Sequence, residues 1–245
     1  MTDLIDYLRN FKGNKTLMTV FPHPDDESMA TGGLLVMAKS LGWRTIVVSI
    51  TAGGAGQIHT HAKGRPLVVI RKAELKKAGE VLGIDELEIG DFDDGKMKTE
   101  RGWQKWLELV MAKHQPGLVV TYDPSGFYGH PDHIALSCAL LKAYQAVKNG
   151  YKLMFVAVPE ERRDKIKLRG MDQVRENMVE STHRLDFGWR WFVKWRAARM
   201  HKSQGLGKSL PIPLWLFMAL NHCENYHLVE KTRKYVYKYI DYEII

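Results

Sequence analysis

Unbroken apolar runs, rather than alternating ones, mark the strands of this chain. Residues 16–21, TLMTVF, are short, partly β-branched and stop at Pro22, which predicts a buried strand. RTIVVSI (44–50), ELEIG after Asp85, GLVVTY (117–122) and KLMFVAV (152–158) repeat the pattern. Between them, apolar positions recur at helical spacing: SMATGGLLVMAKSLG (28–42) with Gly42 as its C-cap, the stretch from Pro66 to Gly83, ERGWQKWLELVMAKH (100–114) and IALSCALLKAYQAVK (134–148). Strands that do not alternate are buried on both faces, so this order predicts an α/β, Rossmann-like fold: a mostly parallel sheet with helices on both faces. The site is then expected at the C-terminal ends of the strands. A single domain is expected over 1–245, with a core of about 16–158 and a less regular part at 159–245.

Composition narrows the chemistry. Cys138 and Cys223 are the only cysteines, so a disulfide framework and a cysteine-rich zinc knuckle are excluded, and any metal must be held by His, Asp or Glu. No apolar run near either end approaches the roughly 20 residues of a membrane span, and the first fifteen residues lack the order of a signal peptide, which gives a cytoplasmic expectation. Thirty-six Lys and Arg against 28 Asp and Glu leave a net charge of +8, which favours acidic surfaces or substrates without naming one.

HPDDE (23–27) follows the first predicted strand, and DPSGFYGHPDH (123–133) follows the fourth. Alone, the three acids of HPDDE read equally well as a helix N-terminus stabilised by the macrodipole. Two His-Pro-Asp turns meeting at one sheet edge point instead to a cation among the acids. His23, Asp26 and His133 form a compact set of nitrogen and oxygen ligands that leaves one position for water, as a catalytic zinc requires. Asp25, projecting elsewhere from the turn, is then free to act as a base. The glycine-rich TAGGAG does not meet the dinucleotide pattern, and a substrate-loop role is expected for it; His59 and His61 in the same loop are poor primary ligands.

In HPDDE and GHPDH, in that order and about a hundred residues apart, the chain resembles the PIG-L/LmbE-like zinc-dependent N-deacetylases. The resemblance runs from about Thr16 to Val158, with weaker support from RKAELKKAGEVLGI (71–84) and DDGKM (93–97). It implies a hydrolase that removes the acetyl group from an N-acetylglucosamine-type sugar on one of many aglycones. It implies Zn(II), with Fe(II) as the other candidate ion, held by His23, Asp26 and His133. Asp25 becomes the general base, His130 an acid and electrostatic partner, and Tyr128 a helper at the oxyanion; Arg71 and Asp94 meet the sugar hydroxyls. Either Asp25 or His130 then protonates the departing amine. Asp132 is expected either to orient the His130 ring or to cap the following helix, and Glu27 to act as a helix acid or a brace.

Two rival readings stand beside this one. His, Asp and His also make the facial set of Fe(II) oxygenases, although those enzymes usually sit on all-β jelly rolls. A non-catalytic carbohydrate- or membrane-binding module on the same fold is the other, and intact Asp25 and His130 argue against it.

From Phe187 to Ser209 there are six basic residues and no acid, interleaved with Trp189, Trp191, Phe192 and Trp195; the uncharged LPIPLWLFMAL (210–220) follows. One reading packs both pieces on the sheet or on a second subunit of a homo-oligomer. The sharper one makes 187–220 an interfacial anchor at an anionic membrane surface, with one helical face aromatic while Arg190, Lys194 and Arg199 project elsewhere. No nucleic-acid motif accompanies the charge, and no nucleic-acid partner is expected.

Overall fold

The computed structural model describes residues 1–56, 64–146, 150–163, 174, 175, 177–208, 210–231, 233 and 235; His59 and His61 lie outside them. Strands β2 (Thr16–Phe21), β3 (Arg44–Thr51), β4 (Glu86–Phe92), β5 (Leu118–Tyr122) and β6 (Lys152–Val156) fall where the apolar runs predict them. All six residues of β2 and all five of β5 are buried, as strands in the middle of a covered sheet must be. Helices α4 (Leu67–Leu82), α5 (Trp103–His114) and α7 (Pro131–Ala146) likewise match the helical spacing, and two four-residue helices, α6 (Gly126–Gly129) and α8 (Glu160–Arg163), complete this part of the chain.

Among the described residues eight strands form one sheet, in the order β1 (Thr2–Asp3), β7 (His183–Asp186), β8 (Cys223–Leu228), β6, β5, β2, β3 and β4. Its covered faces follow the pleat. Met18, Val20, Ile46 and Val48 pack with Trp103, Leu107 and Val110 of α5 and Leu136 and Leu140 of α7. Leu17, Val47, Leu118 and Val120 turn the other way, towards Leu34 and Leu35 of α3 (Gly32–Ser40), Leu75 and Leu82 of α4 and Ala197 of α9 (Trp191–Ala198). Each such side chain contributes about 1.5–3 kcal/mol by leaving water.

Three features depart from the sequence pattern. The first is an N-terminal pair, β1 (Thr2–Asp3) and α1 (Leu4–Arg9), whose helix is capped by Asp3 accepting from the Ile5 N–H at 2.7 Å. The second is the 28–42 helix, which is two helices, α2 (Asp26–Ala30) and α3, broken at Thr31. The break lets the Gly33 and Leu34 N–H groups donate to the Glu224 carboxylate, both at 2.8 Å. Gly33 is required there, because a β-carbon would come within 2.3 Å of the Phe187 ring. The third is the tail: β7 (His183–Asp186) and β8 (Cys223–Leu228) extend the sheet, with β8 antiparallel to both β6 and β7.

β2 lies between β3 and β5 and is parallel to both. The chain builds outwards in one direction through β3 and β4 and in the other through β5 and β6, so the order reverses between β2 and β5. That switch point leaves a crevice beyond the carboxyl ends of the two strands. HPDDE leaves β2 there and the second motif leaves β5.

Candidate metal centre and active site

The turn after β2 is held in an unusual shape. Asp25 has φ +107°, a region that residues with a side chain rarely occupy, and such strain persists only where neighbours enforce it. Here the Asp25 N–H donates to Glu27 Oε2 at 2.9 Å, while the Arg71 guanidinium donates to the carbonyls of Pro24 and Gly53 and lies 3.4 Å from Asp25 Oδ1. Arg71 is only 3 % exposed, so it is not a solvated helix charge.

The strained turn aims Asp26 at the two histidines. Asp26 Oδ2 lies 3.6 Å from His23 Nδ1 and 3.6 Å from His133 Nε2, and those nitrogens are 3.3 Å apart. A tetrahedral zinc with ligands at about 2.0–2.1 Å has ligand-to-ligand edges of about 3.3–3.4 Å, so the triangle is close to the face such an ion needs. The outer atoms support the same assignment. His23 Nε2 faces Asp94 Oδ1 at 2.9 Å and Asp132 Oδ2 at 3.2 Å, which places its proton on Nε2 and leaves the Nδ1 lone pair for the triangle. Asp26 is steadied in turn by the Tyr122 hydroxyl, which donates to Oδ1 at 3.0 Å, and the Tyr122 ring stacks on His133 at 4.5 Å.

Charge within the cluster is uneven. Burial alone lowers the pKa of His23, but its hydrogen bonds to Asp132, Asp26 and Asp94 outweigh this and hold it well above the ordinary imidazole value. Burial drives His133 down to about 4, with the neighbouring His23 and His130 adding to the fall against the pull of Asp26. Burial works to raise Asp26, yet His133 and His23 keep it below the usual carboxylate range. Asp25 moves the other way: burial and the adjacent Asp26 charge push it up to about 7 against Arg71 and His201. Three carboxylates, Asp26, Asp94 and Asp132, thus face His23 beside a His133 that disfavours a proton, and a divalent cation fits the negative charge left uncompensated.

The second motif supplies the far wall. His130 packs edge-on to His23 with ring centroids 4.8 Å apart and lies 4.8 Å from His133. Burial and the His23 charge depress its pKa. Tyr128 is 41 % exposed at the rim, its ring centroid 5.9 Å from that of His130, and it follows Phe127, held at φ +64°. Asp132 does not orient the His130 ring through its carboxylate. That carboxylate accepts from the N–H groups of Gly95 (2.7 Å) and Met97 (3.2 Å) and faces His23, while the Asp132 N–H donates to His130 Nδ1 at 3.2 Å. Asp94 also accepts from the Ala55 N–H at 2.9 Å, tying the glycine-rich loop to the site.

The structure therefore brings His23, Asp25, Asp26, Asp94, His130 and His133 together, with Arg71 behind Asp25 and Tyr128 at the rim. Two further residues were not anticipated from the sequence. Tyr122, the last residue of β5, was signalled only by its place at the carboxyl end of a central strand. His201 donates across to Glu27 Oε1 at 2.7 Å, and 174 residues separate the two, so no local pattern reveals the pair.

Comparison with known proteins gives the family. The model of the PIG-L, or GlcNAc-PI de-N-acetylase, family matches residues 18–144. The diacetylchitobiose deacetylase of Thermococcus kodakarensis is 27% identical over 201 residues, covering 79% of this chain and 72% of that protein. Among solved structures, the N,N'-diacetylchitobiose deacetylase of Pyrococcus horikoshii superposes with a TM-score of 0.72 at 19% identity, covering 97% of this chain and 93% of that one. A 4-carboxy-2-hydroxymuconate hydratase of Pseudomonas putida shares the fold too, with a TM-score of 0.65 at 16% identity over 88% of this chain and 96% of its own. The fold alone thus spans more than one reaction, whereas the family match takes in both motif turns. By that match, this chain belongs to the GlcNAc-PI de-N-acetylase (PIG-L) family.

Proposed function

We propose that the chain is a zinc-dependent N-deacetylase that hydrolyses the acetamide of an N-acetylglucosamine-type sugar. The observation that carries this reading is the triangle of His23 Nδ1, Asp26 Oδ2 and His133 Nε2 at 3.3–3.6 Å, with the unligated Asp25 beside it. Its related deacetylases act on acetylated amino sugars, which supports the substrate class.

His23, Asp26 and His133 would hold the ion, and Fe(II) is the other candidate for the same donors. Zinc bound there supplies Lewis acidity, lowering the pKa of a water and polarising a carbonyl. Asp25 accepts a proton from the attacking water as its oxygen bonds to the acetyl carbon. The carbonyl electrons move onto oxygen, where the Tyr128 hydroxyl and the His130 ring donate hydrogen bonds to the developing charge. The C–N bond then breaks as its nitrogen takes a proton from Asp25 or His130, leaving acetate and a free amine. Asp94 lies against His23 and Arg71 lies behind Asp25, and both are our candidates for the sugar hydroxyls.

Hydration of a double bond, the chemistry of the hydratase with this fold, would need no leaving amine. The assay that tests the proposal is acetate release from N-acetylglucosamine and diacetylchitobiose by zinc-loaded, chelator-treated and Asp25→Asn protein. We expect turnover only with metal, and loss of turnover in Asp25→Asn with metal content unchanged. Equal turnover after complete metal removal, or unchanged turnover in Asp25→Asn, would overturn it.

A further inference from the structure

We infer that the tail of the chain carries a docking surface for an anionic lipid bilayer, on which α9 and α10 (Leu214–Leu220) lie without crossing it. The inference does not depend on the deacetylase reading. It begins with a conflict in α10. Residues 210–220, LPIPLWLFMAL, contain no polar side chain, and among them only Met218 is buried. A helix that is apolar all round normally sits inside a protein or in lipid. This one lies at the surface, with Trp215 48 % and Leu220 65 % exposed.

The neighbouring helix carries further exposed aromatic and basic residues. α10 packs against α9, and the solvent positions of α9 and its preceding turn are Trp189, Phe192, Arg196 and Arg199. Their spacing of three, four and three puts them on one helical face. Trp189 is 70 % exposed, one of the largest aromatic exposures on the molecule. Lys194, expected from the sequence to project with the cations, instead turns inward and pairs with Glu224 at 2.7 Å. Arg196, Arg199 and Lys202 point outward.

Charge selects the occupant. From Phe187 to Cys223 there are six Lys and Arg and no Asp or Glu. A second copy meeting this face isologously would set its arginines against identical arginines with no acid in the segment to neutralise them. A nucleic acid would engage the cations and leave the apolar strip uncovered. An anionic bilayer takes both, with Trp189, Phe192, Trp215 and Leu220 at the headgroup boundary and Arg196, Arg199 and Lys202 against lipid phosphates. Among the described residues no helix is long and apolar enough to cross a membrane, which fits a protein that lies on one.

The test is sedimentation of the full chain with phosphatidylcholine vesicles, with and without about one third phosphatidylglycerol, at about 0.1 M salt. We expect binding to the anionic vesicles at least tenfold tighter than to the neutral ones. Arg196→Ala and Arg199→Ala each weaken it roughly fivefold. Trp189→Ala with Trp215→Ala weakens it further and abolishes the blue shift of tryptophan fluorescence on vesicle addition. All variants keep the far-ultraviolet circular dichroism and the melting temperature of the parent, which shows that they fold. Three results overturn the inference: no association with anionic vesicles, association unaffected by these substitutions, or a dimer in solution that Trp215→Ala dissociates.

Discussion

Nε2 of His201, in the tail of the chain, lies 2.7 Å from Oε1 of Glu27 in the HPDDE turn, and neither side chain meaningfully reaches solvent. Burial lowers the His201 pKa, but the Glu27 charge and hydrogen bond more than restore it, and His201 in turn lowers that of Glu27, so the contact favours the charged form of both. The other Glu27 oxygen holds the N–H of the strained Asp25. Removing one member of a buried pair leaves the other uncompensated and typically costs about 3–5 kcal/mol. His201→Ala is therefore expected to lower the denaturant midpoint strongly. Combining it with Glu27→Gln is expected to cost less than the sum of the single changes, because both remove one interaction. Additive effects in that cycle would show that the pair is not coupled.

How much of this was readable in advance depended on the range of the contacts. β2, β3 and β5 announce themselves because both faces are covered and each is built around an apolar, β-branched run that does not alternate. β8, CENYHL, does not, because its Glu224 and His227 are buried by partners outside the strand: Lys194 and the Gly33 and Leu34 amides for one, the Glu180 carbonyl and Tyr235 for the other. The site divides in the same way. His23, Asp26 and His133 sit in two short turns whose residue types already suggest ligands, and the sheet brings them together. Tyr122, the Glu27–His201 pair and the attachment of Asp132 to His23 exist only once separate segments meet, so the sequence left Glu27 and Asp132 each between two roles, and neither role of Asp132 named His23.

Tyr122 offers a measurement of how far Asp26 depends on its hydroxyl. Tyr122→Phe keeps the ring stacked on His133 and deletes only the bond to Asp26 Oδ1. Loss of a partner that orients a metal ligand typically weakens metal affinity about 10–100-fold. Competition with a chromogenic chelator should report a weakening in that range with little change in melting temperature. An unchanged affinity would mean that Asp26 is positioned by the His23 N–H alone, which donates to its other oxygen at 3.2 Å.

Asp94 and Asp132 both face His23 Nε2, yet they should differ when removed. Asp132 also accepts from the N–H groups of Gly95 and Met97, and its side chain is fully buried. Asp132→Ala strands two N–H groups, at roughly 1–3 kcal/mol each where water cannot reach them. Asp94→Ala strands only the more exposed Ala55 N–H. Chemical denaturation should therefore show the larger loss for Asp132→Ala. Equal losses would indicate that the 93–97 turn is held by other contacts.

Asp123, at the end of β5, predicts a pH dependence of stability away from the ligands. Burial pushes its carboxyl up to about 6, despite the Ser125 hydroxyl and the Val179 N–H that favour the charged form. A folded pKa above the unfolded value of about 3.9 means that the folded state holds this proton more tightly. Its contribution is complete below about pH 4 and is lost as pH rises through 6, amounting to at most about 3 kcal/mol. Asp123→Asn should flatten that part of the stability profile, and an identical slope in the variant would refute the assignment.

Gly33 joins the tail to the helix that follows the metal turn. The Phe187 ring occupies the space of a β-carbon there, with Cδ1 2.3 Å from its ideal position, and Lys194 Nζ lies 5.4 Å from the centroid of the same ring. The Gly33 N–H is also held by Glu224, so the helix has little freedom to move away. Gly33→Ala must therefore displace Phe187, whose ring is buried between α3 and the sheet, and overpacking of this kind typically costs about 1–3 kcal/mol. Phe187→Ala opens a cavity and is costly alone, at about 3–5 kcal/mol. Combined with Gly33→Ala it should cost less than the sum, because the added methyl enters space the ring has vacated. Thermal melts of the three variants measure this directly, and a double variant at or below the additive expectation would show that α3 yields instead of the ring.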